Sequence, residues 1–525
     1  MKMKNLKMLV INNASFSKCP AHFPKSLRWL KWNGYPFKFL PDISSTELFC
    51  LDLSCSYFDT VQPFTKTFRT LNRMNFRNCK SLQQIPDLSG VYNLRELWLD
   101  GCTSLLEMHH SVGRLNKLKE LSVMRCNKLK ILPPNLWLTS LEQLNLFGCS
   151  NLNSFPDILV EMDYIQTLDI GRTSITMLPS SIRNLIGLEF LNMEECPYLE
   201  QLPTTIYQLR NLWALNANFS KLMTHFKMCE GGEENLGCYA MPLKLRHFCF
   251  SKCNLSNDSL ALCLSYFTNM IRLDLSFNKF TTLPACIKEC HHLRYLLLDH
   301  CKRLQHIEEM PPDLEKFSAI CCKSLTESSK SKVLYQALNL QTGKTNFILP
   351  GAEFPENLDN YSRGSCVSFW IRDVFPTIFL WIVVKHDQDF LSNCTFLVHV
   401  NDTKLDIFSE WHLLSTMKMG HLCICDLQSM IDKAELPQRN RWNHVKVSIK
   451  SNTRETKSGR DQFDLALHVC EQQNNSDTIR FMNPKTVYAD SSSWQRVQQP
   501  QDWEELEDDV PYRGLVFPFL WYYLH

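Results

Sequence analysis

Apolar residues recur in one fixed pattern along the first two thirds of the chain. Each unit places an apolar residue at positions i, i+3 and i+5 and a Cys, Thr, Ser or Asn at i+8, as in LEQLNLFGC, which begins at Leu141. The pattern begins at Leu71, Leu94, Leu118, Leu141, Ile165, Leu188, Leu212, Leu245, Met270, Leu293 and Leu314, and in looser form at Leu6, Leu27 and Leu48. Most of these starts lie 21 to 25 residues apart, so the chain repeats one structural unit.

A period of this length predicts leucine-rich repeats, each of which forms a short strand and buries its leucines against the neighbouring repeats. The predicted fold class is therefore an α/β leucine-rich-repeat solenoid (horseshoe) of about 14 repeats over residues 1–325. Between the starts at Leu212 and Leu245 the gap grows to 33 residues, which predicts an insertion near 222–242.

The residues at i+8 are interpreted as structural. Thr173, Ser220 and Asn278 stand at this position in three repeats, and cysteine stands there in eight. The eight are Cys79, Cys102, Cys126, Cys149, Cys196, Cys253, Cys301 and Cys322. These residue types are small and can hydrogen-bond nearby backbone, whereas they share no metal-binding or nucleophilic chemistry. The sequence therefore predicts a buried ladder of reduced thiols.

Residues at i+2, i+4 and i+6 alternate with the buried leucines and are predicted to cover the concave face of the solenoid. The residues predicted to bind protein on this face are Trp29, Arg73, Arg77, Trp98, Met124, Phe147, Phe190 and Tyr295. Large aromatic side chains and arginine are enriched at protein-binding hot spots. Isolated exposed aromatic residues are ordinary on protein surfaces, but their recurrence along one face favours a binding surface.

The repeat period stops after Leu325. Residues 326–345 are polar and are predicted to form a helical cap or connector. Short β-type runs follow at 366–371, 377–385, 395–400, 421–427, 443–450 and 463–469. Together they predict an all-β antiparallel jelly-roll or Ig-like sandwich over residues 346–470. Residues 471–525 are rich in Gln, Asn and Ser and then acidic, which predicts a disordered tail.

The sequence predicts no catalytic, cofactor-binding or metal-binding residues. Cys286, Cys290, His291 and His292 lie close together, but sister repeats place a core leucine at the position of Cys290, so we interpret it as a packing residue rather than a zinc ligand. QTGKT at 341–345 lacks the glycine that a phosphate loop needs five residues earlier. The formal net charge of +2 gives no electrostatic reason to expect nucleic acid or an anionic membrane as the partner.

The predicted location is the cytoplasm or the nucleus. The N-terminus has an apolar run of only about four residues, which is shorter than the core of a signal peptide. No stretch approaches the ~20 apolar residues of a membrane span. The 23 cysteines are therefore expected to be reduced thiols.

Residues 1–470 resemble the C-terminal half of a plant intracellular immune receptor of the TIR-NBS-LRR (TNL) class. FPKSLRWLKWNGYPFKFLP is similar to that family's entry into its repeats, and LxxLxLxxCxxLxxLP is the family's style of repeat. FILPGAEFPENLDNYSRGSCVSFWI resembles the opening of its post-repeat C-JID domain. On that match the motif residues Pro350, Gly351, Pro355, Gly364 and Ser365 carry over.

The resemblance implies that the repeats and the C-JID domain together capture a pathogen effector or a guarded host protein in effector-triggered innate immunity. It implies no enzymatic activity for this chain, because NAD cleavage and ADP/ATP switching belong to the family's TIR and NB-ARC domains, which this sequence does not contain. In a full-length receptor, the partners would include the nucleotide-binding domain and further copies of the receptor. The chain is interpreted as a truncated receptor, a partial gene model or a decoy-like fragment.

Three other classes stay open. The chain could be an intracellular leucine-rich-repeat adaptor or substrate-recruiting subunit, for instance of a ubiquitin ligase, but no F-box-like N-terminal helix is visible. It could be the ectodomain of a cell-surface receptor, but its turns read C/TxxLxxLP rather than NxLxGxIP. An enzyme is the third class, and the motif search gives it no support.

Overall fold

The computed structural model describes most of the repeat region and the strands that follow it. The described residues are 5–14, 16–20, 22–39, 43, 45–61, 68–200, 202–219, 244–266, 269–339, 346–351, 360–362, 366–372, 378–384, 394–401, 403–405, 420–427, 442–451, 463–469 and 479–481. The predicted insertion near 222–242, Ser220, Pro355, Gly364, Ser365 and all of the predicted tail except 479–481 lie outside these residues.

Fourteen short strands of the described repeat region form one parallel sheet, with one strand in each predicted repeat. They are β1 (Met8–Asn12), β2 (Trp29–Asn33), β3 (Cys50–Asp52), β4 (Arg73–Asn75), β5 (Glu96–Trp98), β6 (Glu120–Ser122), β7 (Gln143–Asn145), β8 (Thr167–Asp169), β9 (Phe190–Asn192), β10 (Ala214–Asn216), β11 (His247–Cys249), β12 (Arg272–Asp274), β13 (Tyr295–Leu297) and β14 (Lys316–Ser318). The sheet is in register, so Leu97 lies opposite Met74 on one side and Leu121 on the other. The predicted leucine-rich-repeat solenoid is confirmed.

The core is built from the apolar positions of the repeat. Leu141, Leu144 and Leu146 occupy i, i+3 and i+5 of one repeat, and all three are buried. Because each strand is only three residues long in most repeats, a single repeat has too little core to fold alone, and the leucines pack between neighbours. The same set of positions is buried along the whole described array.

The eight cysteines at i+8 form a regular row of hydrogen-bond donors inside this core. All eight are fully buried. Each Sγ donates to the carbonyl oxygen of the i+5 residue in the preceding repeat over 3.0–3.3 Å, as Cys149 does to Val123. Burial raises the pKa of the Cys79 thiol to about 12, which keeps the proton on the donor. Asn278 serves the same role with its Nδ2, which donates to the carbonyl of Phe250 at 2.8 Å.

The segments that return from one strand to the next contain short helices and bridges. Five-residue 3-10 helices occupy His110–Arg114, Ser180–Asn184, Thr204–Gln208 and Ala285–Glu289. Two-residue parallel strands pair Asn135–Leu136 with Asp157–Ile158 and Thr282–Leu283 with His306–Ile307. Two longer helices are α1 (Asn257–Tyr266) and α2 (Glu327–Asn339), and α2 lies in the stretch predicted as the connector.

Beyond the connector, ten strands form two antiparallel groups. The first group contains β15 (Asn346–Pro350), β16 (Asn360–Ser362), β18 (Ile378–Val384), β21 (His421–Asp426) and β23 (Phe463–Val469). The second contains β17 (Cys366–Arg372), β19 (Cys394–Val400), β20 (Thr403–Leu405), β22 (Trp442–Ser451) and β24 (Ile479–Phe481). Buried residues from both groups, including Leu380 and Val447, form one core. β24 lies within the stretch predicted as a tail and pairs with β17.

The solenoid sheet and the first antiparallel group are one continuous sheet. β15 pairs in parallel with β14, the strand of the last repeat, and in antiparallel with β21. The backbone N–H of Cys321 donates to Nε2 of the buried His421 at 2.9 Å. Ile320, from the last repeat, packs into the core of the two antiparallel groups. The sequence predicted a solenoid at 1–325 and a second domain at 346–470, and in the structure hydrogen-bonded strands join these two parts.

Candidate protein-binding face

Asn or Asp occupies the middle row of outward positions, i+4, in seven of the fourteen repeats, and there is a backbone reason for it. In seven repeats Oδ1 of the i+4 side chain accepts a hydrogen bond from the N–H at i+6 over 3.0–3.2 Å. The pairs are Asp52–Ser54, Asn75–Arg77, Asn145–Phe147, Asp169–Gly171, Asn192–Glu194, Asn216–Asn218 and Asp274–Ser276. Each bond closes a turn at the end of a strand. The polar residues of this row therefore belong to the scaffold.

Trp98 interrupts that row. It is half-buried on the outward side of β5. Cζ of Arg77 lies 4.6 Å from the centroid of its ring, and Nε of Arg77 donates to Oδ2 of Asp100 at 2.7 Å. The indole Nε1 is buried and has no hydrogen-bond partner among the described residues. Since a buried Trp N–H ordinarily has an acceptor, the scaffold does not explain why Trp98 stands here.

Both arginines predicted to bind protein are paired with acidic residues of the next repeat. Nε of Arg73 lies 2.8 Å from Oε2 of Glu96, and Arg77 is bonded to Asp100. Partly exposed pairs of this kind contribute little to stability, but the pair with Asp100 orients the Arg77 guanidinium over the indole. We call Arg73, Arg77, Glu96, Trp98 and Asp100 the Trp98 patch. Met124 adjoins the patch, because its N–H donates to Oδ1 of Asp100 at 3.0 Å.

Phe147 lies two strands further along the sheet. A Cβ atom on Gly171 would lie 3.0 Å from Cδ2 of its ring, so the ring occupies the space beside that glycine. Cζ of Arg172 lies 5.2 Å from the centroid of the ring, and Nη2 of Arg172 lies 2.8 Å from Oε1 of Glu195. The ring is therefore held between a glycine backbone and a guanidinium group.

The other predicted residues lie on separate strands. Trp29 stacks on Phe49 with ring centroids 6.0 Å apart. Phe190 stands on β9, two strands beyond the repeat of Phe147. Tyr295 stands on β13, where Nζ of Lys316 lies 5.4 Å from the centroid of its ring. The structure thus brings Arg73, Arg77, Met124 and Trp98 together in neighbouring repeats and distributes the remaining predicted residues along the sheet.

Two carboxyl groups lie close to Phe147 and Phe190 along the sheet: the half-buried Asp169 on β8, and the buried Glu194 just after β9. Oδ1 of Asp169 accepts hydrogen bonds from the Gly171 N–H at 3.0 Å and from Nδ2 of Asn192 at 2.9 Å. Burial raises the pKa of Asp169 to about 6, and the neighbouring Glu194 adds to the rise. Burial also raises the pKa of Glu194, although Nδ2 of Asn216 donates to its Oε2 at 3.0 Å.

The cysteine and histidine cluster of the sequence does not come together as a metal site. Cys290 is fully buried, and burial raises the pKa of its thiol to about 12. His291 and His292 are exposed. In the described part of the chain, no three His, Cys, Asp or Glu residues are arranged to hold a metal ion.

Only two residues of the predicted post-repeat motif are described. Pro350 ends β15 opposite His421. The N–H of Gly351 donates to the carbonyl of Gly420 at 2.7 Å, and the backbone φ of Gly351 is 148°. A φ in this range favours glycine, so Gly351 has a structural reason to stand at the turn between β15 and the segment that follows.

A further row of residues at i+7, one residue beyond the outward positions, was not predicted from the sequence. In all fourteen described repeats this residue is left-handed, with φ between 49° and 76°. The row is Asn13, Gly34, Cys55, Asn78, Gly101, Arg125, Gly148, Arg172, Glu195, Phe219, Lys252, Phe277, His300 and Cys321. Glycine and asparagine suit this conformation. Their presence at Gly34, Asn78, Gly101 and Gly148 is the signal that could have revealed the row.

Comparison with known proteins identifies the repeats. Residues 137–317 match a family model described as "Disease resistance protein RPS4B-like, leucine-rich repeats". This part of the solenoid is similar to the leucine-rich repeats of plant disease resistance proteins. Disease resistance protein RML1B of Arabidopsis thaliana is 34% identical over 131 residues, which are 23% of this chain and 13% of that protein. Disease resistance protein RPP5 of Arabidopsis thaliana is 36% identical over 123 residues, which are 23% of this chain and 8% of that protein.

The matched segments therefore represent a small part of each disease resistance protein. Among solved structures, a leucine-rich-repeat protein of Leptospira interrogans, LIC12759, aligns with 62% of this chain and 96% of its own chain, at 18% identity and a TM-score of 0.29. None of the helices in the described ranges is long and apolar enough to cross a membrane.

Proposed function

We propose that the chain is the pathogen-effector recognition module of an intracellular plant immune receptor of the TNL class. The observation that carries the proposal is the Trp98 patch. In the row where seven repeats use Asn or Asp to close a turn, this repeat places a half-buried indole ring next to a guanidinium group. Tryptophan and arginine are the residue types that anchor protein interfaces, and the relatives' repeats belong to disease resistance proteins.

The strands after the repeats form the second part of the proposal. We assign residues 346–470 to the jelly-roll or Ig-like C-JID domain, with the solenoid at 1–325, the connector at 326–345 and the tail at 471–525. Two antiparallel groups of strands with a common core support this assignment. In a full-length receptor the module would contact the nucleotide-binding domain and further copies of the receptor, in the cytoplasm or nucleus. NAD hydrolysis and nucleotide switching would belong to other domains.

The experiment compares captured partners. Tagged wild-type chain and a Trp98→Ala/Phe147→Ala/Phe190→Ala variant are expressed in infected plant tissue, and cross-linked partners are identified by mass spectrometry. A Tyr164→Ala/Tyr198→Ala variant is the matched control, because both tyrosines are exposed and lie off the sheet face. We expect a pathogen or guarded host protein to bind the wild type and the control but not the triple variant.

Three outcomes would contradict the proposal. The same partners for the wild type and the triple variant would show that the named face does not bind them. Ubiquitin-ligase subunits as the main partners would favour the adaptor function. Hydrolysis of NAD or ATP by the purified chain would contradict a purely recognition function. A Trp98→Phe variant, which keeps an aromatic ring but presents a smaller face, tests whether the size of the indole contributes to binding.

A further inference from the structure

The left-handed row at i+7 changes character in the last repeats before the antiparallel strands. Earlier repeats mix glycines such as Gly34 and Gly101 with larger residues such as Arg125, whereas the last five repeats have neither glycine nor asparagine there. Those five place Phe219, Lys252, Phe277, His300 and Cys321 in the same conformation, with φ from 56° to 60°. Bulky side chains in this region of backbone space are uncommon and mark strain that often serves a function. The turn itself needs only glycine or asparagine, so the fold does not explain the large side chains.

Side chains in this row stack on one another from repeat to repeat. A Cβ atom on Gly101 would lie 2.5 Å from Oδ1 of Asn78, which shows that each i+7 position faces the side chain of the previous one. Nζ of Lys252 lies 5.1 Å from the centroid of the Phe219 ring. The rings of Phe277 and His300 stack with centroids 4.4 Å apart and an interplanar angle of 11°. The row therefore contains two stacked pairs of aromatic and cationic or polar groups, which we call the aromatic strip.

The turns that carry this strip are strongly basic. Residues 251–255, 276–280, 299–303 and 320–324 contain five Lys or Arg residues and one acidic residue. The basic residues are Lys252, Lys279, Lys302, Arg303 and Lys323, and all five are exposed. The acidic residue, Asp299, accepts hydrogen bonds from the Ser318 hydroxyl at 2.5 Å and the Ile320 N–H at 2.9 Å. We call these four turns, with Phe277 and His300, the basic edge.

The position of the basic edge suits a binding surface. It ends at Cys321, whose N–H is bonded to His421 of the antiparallel strands. It therefore continues directly from the repeats to the post-repeat strands, which the proposed function assigns jointly to partner capture. The chain as a whole has a formal net charge of only +2, so the basic character of these turns is not a property of the whole chain.

We infer that the basic edge binds an acidic, amphipathic segment of a protein partner. Neighbouring strands of a sheet lie about 4.8 Å apart, so lysines at equivalent positions of successive repeats form a row with about that spacing. Carboxylates at i and i+4 on one face of a helix have Cβ atoms about 5–6 Å apart. An acidic helix face thus matches the row of cations, and its apolar residues can pack on the stacked rings of Phe277 and His300. This inference rests on the protein-recognition function proposed above but concerns a surface distinct from the Trp98 patch.

Fluorescence anisotropy with the full chain tests the inference. The probe is a labelled synthetic amphipathic helix with glutamate along one face, and the control peptide carries glutamine in place of glutamate. We expect Lys279→Glu/Lys302→Glu/Lys323→Glu to weaken binding of the glutamate peptide about tenfold or more. A matched variant, Lys80→Glu/Lys128→Glu/Lys130→Glu, reverses three exposed lysines of earlier repeats and should bind as the wild type does.

Phe277→Gly separates a binding role from a folding role. Glycine adopts a φ of 60° without strain, so the unfolding temperature of this variant should be equal to or higher than that of the wild type. The variant should bind the glutamate peptide at least about threefold more weakly. Unchanged peptide binding by Phe277→Gly would refute the role of the aromatic strip.

Other results would overturn the inference as a whole. These are no binding of the glutamate peptide, equal loss of binding in the two lysine variants, or tighter binding of a single-stranded (dT) oligonucleotide than of the peptide. The last result would indicate nucleic acid as the partner. None of them would affect the capture experiment on the Trp98 patch, so the failure of this inference and the failure of the proposed function can be distinguished.

Discussion

Replacing Asp169 by asparagine should stabilise the protein at neutral pH. Asp169 stands at i+4 of its repeat, where Asn145 and Asn192 stand in the two neighbouring repeats. Its Oδ1 accepts hydrogen bonds from the Gly171 N–H and from Nδ2 of Asn192, and an asparagine Oδ1 could accept the same two bonds. The substitution would therefore remove a half-buried charge without removing the turn that the side chain closes.

The size and sign of the effect follow from the pKa. Burial raises the pKa of Asp169 from 3.8 to about 6, and each unit of pKa corresponds to about 1.4 kcal/mol. A carboxyl group whose pKa is raised in the folded state stabilises that state fully below its unfolded pKa and loses this contribution as the pH rises through the folded pKa. As the pH rises from about 4 to about 6, the free energy of unfolding of the wild type should therefore fall by up to about 3 kcal/mol because of this group. The Asp169→Asn variant has no carboxyl group at this position, so its free energy of unfolding should not show this fall.

Urea unfolding followed by circular dichroism at pH 7.5 and pH 4.0 measures the difference. Asp169→Asn should be more stable than the wild type by about 2–3 kcal/mol at pH 7.5 and nearly equal to it at pH 4.0. Asp52→Asn is the matched control, because Asp52 closes the same turn but lies 3.8 Å from Nζ of Lys31. We expect no comparable gain there. A loss of stability at pH 7.5 for Asp169→Asn would refute the reasoning.

Two further substitutions test the scaffold by the same unfolding assay. Cys149→Ala removes a fully buried thiol and its hydrogen bond to the carbonyl of Val123, so it should lower the free energy of unfolding by about 1–2 kcal/mol; Cys149→Ser, which keeps a donor, should lose less, and an equal loss would argue against the hydrogen bond. Arg125→Gly should raise the free energy of unfolding by about 0.5–1 kcal/mol. The backbone φ of Arg125 is 57°, and the relief of left-handed strain exceeds the entropy that glycine adds to the unfolded chain. Arg125→Ala should give no such gain, and a gain of equal size would show that the strain is not the cause.

The repeat architecture could be predicted from the sequence because one local rule is applied many times. The spacing of leucines around Leu144 determines which residues face the core, and the structure places a strand at that spacing in every described repeat. The residue at i+8 could also be interpreted, since Cys149, Thr173 and Asn278 share only the ability to hydrogen-bond nearby backbone. Both the burial of the leucines and the role of the i+8 residue are determined by residues within the same repeat or the next one, so the sequence pattern is enough to predict them.

The candidate site could be predicted less completely. The rule of outward positions placed Trp98 and Asn145 in one class, although Asn145 closes a turn and Trp98 does not. The two residues can be distinguished only by the hydrogen bonds that their side chains form, and the repeat spacing does not predict those bonds. The row at i+7 was missed because Phe277 and Lys252 are not residue types that indicate a left-handed backbone.

The junction with the post-repeat strands could not be predicted either. The individual strands were visible as apolar runs, but the pairing of Lys316 with Asn346, and of Asn346 with Cys425, joins segments that are distant in sequence. Such long-range pairings depend on the edges that remain open after the repeats have formed, and a repeat pattern that ends at Leu325 contains no information about them.

The pairing of β14 with β15 also determines where the protein can be cut. A fragment ending at the connector would leave β14 with a bare row of backbone N–H and C=O groups at an open sheet edge, and open edges of this kind promote aggregation. It would also uncover Ile320, which packs into the core of the post-repeat strands. Fragments for biochemical work should therefore keep the repeats and the post-repeat strands together, and a poorly behaved isolated solenoid would say nothing about the solubility of the whole.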